Sequence, residues 1–357
     1  MKTIAALILG IAIAAGFSVL TVDAIDPCLP TPTPTVTPAP TPTPTTTPTP
    51  SSSVSPTPVP GIYHIYPGQK IADKVKLLKA GETLVIHEGT YNEYLVITNL
   101  KGTSDKPITI KGEGVAVVKG SGDNGRLWQV TNSSYVVITG LRFTNSDKLI
   151  YALNIQNFTF KNNEFDHSFG EALRIKYFSS NNIIKGNNFH DCGVGSFVLT
   201  DGSKNGECVY IGTAPEQLGD NPTRARDESN NNIVRNNKFN TQGNECVDIK
   251  EAATGNIVEY NSCTGQKDIE SGGFDSRGSG NTFRYNEVFG NQGAGIRVGG
   301  DKSTDGLNNN IYGNNIHDNK GYALKVRRWP QGKICGNTHA NNKAFTDESR
   351  LKDIACL

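Results

Sequence analysis

Hydrophobic and polar residues alternate in a set of short segments that keep returning through the chain. The central one is Gly243-Asn244-Glu245-Cys246-Val247-Asp248-Ile249-Lys250. Segments 170–176 and 206–212 precede it, and 273–278, 295–299 and 321–327 follow. Every second residue is aliphatic, so each segment predicts a short strand with one face buried and the other open. A second frame runs between them: an Asn, two mostly apolar residues, two variable ones and another Asn. It starts at Asn157, Asn182, Asn232, Asn256, Asn281 and Asn310, with second asparagines at Asn162, Asn187, Asn237, Asn261, Asn286 and Asn315. Successive starts lie 25, 50, 24, 25 and 29 residues apart, the 50 being two turns' worth. A period of about 24 residues with about three short strands per turn predicts an all-β, single-stranded parallel β-helix. Asn suits a fixed corner because it tolerates left-handed backbone and its amide can bond along the stack. The fixed leucines of a leucine-rich repeat are missing.

The coil domain is expected over 61–357. Apolar residues from Ile71 to Leu78 fall at helical spacing, which predicts an N-terminal helical cap over the exposed end of the stack. Residues 1–24 read as a signal peptide, with Lys2, an apolar run from Ile4 to Val22 and small residues before the cut. A retained membrane anchor is the rival reading of that run. Residues 25–60, almost wholly Thr, Pro and Ser from Pro30 on, form an extended linker. Together these predict a secreted monomer, extracellular or held at the cell surface or wall, with no membrane span in the mature chain. Seven cysteines leave one odd. Export permits disulfides. Alternation puts Cys208 and Cys246 outward on neighbouring turns, where a bridge is expected, while Cys263 takes the core column of Phe189 and Phe239 and reads as a buried thiol. Zinc spacing is absent.

The same alternation identifies the open face. With Val247 and Ile249 inward, Asp248 and Lys250 point out. Arg174, Lys176 and Tyr210 follow below, and Asp275, Arg277, Arg297, Lys325 and Arg327 above. Equivalent positions lie about 4.8 Å apart per turn. Seven cations thus share one strip of a chain whose formal net charge is +1. Stacked like charges repel, so the strip predicts a partner: an acidic polysaccharide. Nucleic acid fits less well, since Tyr210 alone offers a base a ring to stack on. Insertions at 196–205 and 213–229 flank the strand around Tyr210 and are expected to wall the site.

Cleaving a uronate polymer by β-elimination needs a cation to neutralise the sugar carboxylate, a base for the C5 proton and a donor for the leaving oxygen. Lys250 is the candidate base, its pKa expected to fall beside Arg277 and Lys176. Arg277 is placed to bind the carboxylate or assist the leaving oxygen, with Tyr210 or water carrying the proton, because guanidinium stays charged. Glu207 and Glu245 head successive strands and could share Ca²⁺.

Glu245-Cys246-Val247-Asp248-Ile249-Lys250, then Asp275-Ser276-Arg277-Gly278, then Gly295-Ile296-Arg297-Val298-Gly299 resembles the order in polysaccharide lyase family six, the chondroitinase-B-type and alginate lyases. The resemblance implies a right-handed, pectate-lyase-like β-helix. It also implies Lys250 as base, Arg277 as assisting acid, Glu245 as a calcium ligand and Arg297 as a substrate contact. Gly243 stands where the family has a second acid, and Gly278 where it usually has His. Two rival readings use the same face. One is a glycoside hydrolase with Asp248 and Asp275 as its carboxyl pair; the other is a non-catalytic glycan-binding or adhesion coil.

Overall fold

The computed structural model describes residues 61–352, except 123, 124, 196 and 199–202, together with 355 and 356. The signal peptide (1–24), the linker (25–60) and Cys28 lie outside the described residues. The described chain is a right-handed parallel β-solenoid of about 11 turns with almost no helix. One wall is a sheet of nine parallel strands. In chain order they are Leu95–Thr98, Arg126–Ser134, Lys148–Gln156, Leu173–Lys176, Val209–Ile211, Val247–Ile249, Gly272–Ser276, Ala294–Val298 and Leu324–Val326. The other two walls form one hydrogen-bonded sheet, because the strands Ile108–Lys119 and Val136–Ser146 run through the corner between them. The predicted cap is a single turn-and-a-half, Ile71–Val75, which buries Ile71 and Val75. Its free N–H groups at Ile71 and Ala72 donate to the Glu93 carboxylate at 2.7 and 3.0 Å.

Alternation puts the aliphatic residues of every turn into one core, where Phe143, Phe165, Phe189 and Phe239 stack at centroid spacings of 5.2, 4.6 and 4.9 Å. Asparagine columns run beside it. Asn187 Nδ2 donates to Asn237 Oδ1 at 3.0 Å and to the Phe160 carbonyl at 3.0 Å, and Asn237 repeats this with Asn261. The columns differ by one residue from the predicted frame at both ends. Asn157 and Asn162 are left-handed corner residues, φ 58° and 53°. The buried rows instead use Asn163 at the start and Asn309 and Asn314 at the end, leaving Asn310 and Asn315 in the strands.

The cysteine expectations are corrected. Cys208 and Cys246 are not paired with each other and do not face out. They bridge the core to the opposite wall, as Cys192–Cys208 and Cys246–Cys263, while Cys335 pairs with Cys356. Cys263 is therefore not a thiol. The reason is the position at the start of the last six strands of the nine-stranded sheet, where the chain leaves the corner and alternation breaks. Ala172, Cys208, Cys246, Gly273, Gly295 and Ala323 occupy it in successive turns; Ala172, Cys208, Cys246 and Ala323 are fully buried. A Cβ on Gly273 would lie 2.9 Å from Cys263 Sγ, which shows that this column points inward.

Candidate active site

Parity held for the strip itself. Ladder register places Tyr151, Arg174, Tyr210, Asp248, Asp275, Arg297 and Lys325 side by side on the outer face of the nine-stranded sheet. Lys250 and Arg277 follow two residues along, each continuing the ladder with its backbone N–H (Lys250 to Ile211 O, 2.9 Å; Arg277 to Ile249 O, 2.8 Å). A cavity of about 300 Å³ opens over this face, bordered by Glu207, Tyr210, Glu245, Asp248, Lys250, Asp275, Arg277 and Arg297. Asn205, Ala214, Glu216 and Gln217 form one side and Asp268, Glu270 and Ser271 another. The segment 213–229 thus contributes a wall, as predicted. It is pinned by the buried Asp227 carboxylate, which accepts from the N–H groups of Tyr177 (2.5 Å) and Phe178 (2.9 Å) and the hydroxyls of Thr213 (2.5 Å) and Ser229 (2.7 Å).

The structure corrects the charge of the site. The cavity lining holds seven carboxylates, Glu207, Glu216, Glu245, Asp248, Asp268, Glu270 and Asp275, against three cations. Four predicted cations are not in the lining. Arg174 lies beneath the wall, donating to Glu171 (2.8 Å) and Gln217 (2.5 Å), and Lys176 is fully buried. Lys325 binds Glu270 at the rim (3.0 Å), and Arg327 is exposed outside the cavity. The three that remain are paired: Lys250 with Asp248, Arg297 with Asp275, and Arg277 with Asp301 and, at 2.6 Å, with Glu251. Tyr210 lies between cations, with Lys250 Nζ 4.5 Å and the Arg174 guanidinium 4.3 Å from its ring, and donates its hydroxyl to Gln217 at 3.0 Å.

The pKa expectation for Lys250 is reversed. Burial works to lower it, but the charge of Asp248 first, then the acidic groups of Tyr210, Glu207 and Glu245 around it, outweigh burial and hold the ammonium well above its usual range. Burial pushes the Tyr210 phenol up, so it keeps its proton. Burial, then the Glu171 charge, moves Glu207 up to about 7, and Glu245 is pushed well above the carboxylate range by burial, then by Asp248, Glu207 and Asp275.

These acids suit a hard cation. Carboxylate oxygens of Glu207, Glu245 and Asp248 lie within 4.8 Å of one another. One oxygen of each (Glu207 Oε2, Glu245 Oε2, Asp248 Oδ1) is buried with no hydrogen-bond partner. Calcium takes clustered oxygens at about 2.3–2.6 Å, which such a group can supply. The predicted pair Glu207 and Glu245 is therefore brought together, and Asp248 joins it.

Residues 98–215 and 224–349 match the family described as the right handed beta helix region. The chain belongs to this family. No curated protein matches the chain. Among solved structures of the right handed beta helix fold, alginate lyase from Paenibacillus sp. str. FPU-7 is similar at 20% identity and TM-score 0.62, over 76% of this chain and 95% of that one. Pectate lyase Pel9A is similar at 15% identity and TM-score 0.57, over 81% of this chain and 78% of that one. At these identities the likeness is one of fold.

Sequence reasoning missed Glu171, Glu251, Glu270 and Asp301, the partners that neutralise this right handed beta helix protein's cations, and Asp268 in the cavity wall. They sit at corners and in connections, where alternation assigns no face. A Glu at the position before the corner, as in Glu171, Glu207 and Glu245, was the signal available for one of them.

Proposed function

We propose that the protein is a secreted, monomeric polysaccharide lyase that cleaves an acidic, uronate-containing polysaccharide by β-elimination, with the residue order of polysaccharide lyase family six. The observation that carries this reading is that Lys250, Arg277 and Arg297 border one cavity on the outer face of a single parallel sheet. A strand of sugar laid across the turns meets Arg277 and Arg297, whose guanidiniums suit its carboxylate. Lys250 takes the C5 proton after releasing its own to solvent in the open cavity, and Asp248, in contact with its ammonium, holds the side chain in place. Tyr210, protonated and beside Lys250, donates to the leaving oxygen while Arg277 orients it. Glu207, Glu245 and Asp248 would hold Ca²⁺, which when bound neutralises the substrate carboxylate. Two proteins of the same fold are named as lyases of alginate and of pectate, which lends the reaction class further support.

The test is the ultraviolet absorbance of an unsaturated uronate product, measured on alginate, pectate, glucuronan and chondroitin with and without chelator. Lys250→Ala should lower turnover about 10²–10⁴-fold, the usual worth of a positioned proton-transfer group, and leave binding in place. Unchanged turnover rejects the assignment. New reducing ends without the absorbance would instead mean hydrolysis through Asp248 and Asp275, and binding without either product a glycan-binding coil.

A further inference from the structure

The corner joining the two walls that do not carry the cavity is left-handed in eight successive turns. Gly140, Asn162, Gly186, Asn236, Tyr260, Tyr285, Gly313 and Gly336 follow one another there, with φ between 53° and 69°. Glycine and asparagine enter this conformation readily, whereas a bulky side chain enters it at a cost. Tyr260 and Tyr285 break that rule on adjacent turns. Their rings are not buried in exchange: the two residues are 54% and 46% exposed. Backbone strain carried by exposed side chains points to a use outside the fold.

The rings form a platform. They stack at 5.1 Å with 23° between planes, and Tyr312 meets Tyr285 edge-on at 5.7 Å. The next corner residue, Gly313, leaves the ring its seat, since a Cβ there would lie 2.7 Å from Tyr285 Cδ1. Cations border the platform. Arg284 donates to the Tyr312 hydroxyl at 2.9 Å, and Lys333 Nζ stands 5.4 Å from the Tyr312 ring. Arg284 and Arg235 share one buried carboxylate, Glu259, at 2.6 and 2.9 Å. Three cations against one carboxylate leave the patch positive.

We infer that Tyr260 and Tyr285 form a second, non-catalytic docking platform for an acidic polysaccharide strand. Flat C–H faces of sugar rings pack on the tyrosines, and their carboxylates face Arg235, Arg284 and Lys333. Successive turns are about 4.8 Å apart, so the two rings offer a continuous track to an extended chain. The choice of an acidic polymer rests on the function proposed above; the platform itself rests on the strained tyrosines.

The experiment compares the full chain with a Tyr260→Asn/Tyr285→Asn double variant by affinity electrophoresis in gels containing alginate, pectate, glucuronan or chondroitin. Asparagine already serves this corner at Asn162 and Asn236, so the variant should melt at the parent's temperature or above. Retention by polymer should weaken at least about tenfold, the order expected for losing two stacking rings. Turnover of short oligosaccharides should be unchanged. Unaltered retention overturns the proposal, as does retention of neither chain by any polymer. So does a lowered melting temperature, which would make the pair structural. A parent dimer that the variant dissolves in sedimentation overturns it too, by assigning the patch to a second copy of this chain. Failure of the lyase reading shows separately, as no unsaturated product from a parent chain whose retention still depends on the tyrosines.

Discussion

Lys176 shows what burial does to one predicted contact residue. Its ammonium is fully buried without a hydrogen-bond partner, 5.5 Å from the Tyr151 ring. Burial, then the neighbouring Arg174 charge, lowers its pKa to about 8. The unfolded chain therefore binds one more proton between about pH 8 and 10.4, and stability rises with pH across that window. Lys176→Met keeps the volume and removes the unpaired charge. At pH 7 it should stabilise the protein by about 1–3 kcal/mol, the cost of an unsatisfied buried polar group. The gain should shrink steadily from pH 8 to 10.4 in denaturant titrations. A variant less stable than the parent at pH 7 would show that Lys176 has a partner that counts. Alternation told which way Lys176 points, but not that the 213–229 wall would close over it. The same holds for Lys250: its direction was legible, and its charge state was not, because Asp248, Glu207 and Glu245 act on it through space.

At the scale of elements, the sequence was most legible where a rule repeats. The aliphatic alternation located the last six of the nine strands of the site wall, and the asparagine period located the turns. It failed at corners. Cys208 and Cys246 each follow a glutamate and precede a strand, and extending the strand's alternation by one residue assigned both to the wrong face. The true arrangement ties each site strand to the far wall directly beside a cavity acid, Glu207 next to Cys208 and Glu245 next to Cys246. The bridges span 16 and 17 residues, for which loop-closure entropy suggests about 3 kcal/mol each. Replacing Cys192 and Cys208 by Ala should lower stability by that order. It should also loosen Glu207, so weaker calcium binding should accompany the drop in melting temperature. Equal calcium affinity in the variant would show that backbone pairing alone positions the acid.

For the whole molecule the decisive contrast is between a net charge of +1 and a cavity with seven carboxylates around three cations. A flexible chain would let such charges move apart, but the stacked turns hold Glu207, Glu245 and Asp248 on neighbouring strands whatever their repulsion. The arrangement is stable only if something positive answers it, and the paired Lys250 and Arg297 leave oxygens of Glu207, Glu245, Asp248 and Asp275 unanswered. A divalent cation that binds the folded state alone raises stability by about 2.7 kcal/mol at a hundredfold excess over its Kd. Calcium should accordingly raise the melting temperature of the parent chain, with chelator reversing the rise. Glu245→Gln removes one charge from the cluster. Where pH is high enough to ionise the parent's Glu245, the variant should be more stable than the calcium-free parent, because a buried repulsion is relieved, and it should gain little on adding calcium. A melting temperature that calcium leaves unmoved in the parent, or moves equally in both proteins, would mean that buried protons on Glu207 and Glu245 settle the charge instead. The cavity would then meet an acidic polymer through Arg277 and Arg297 alone.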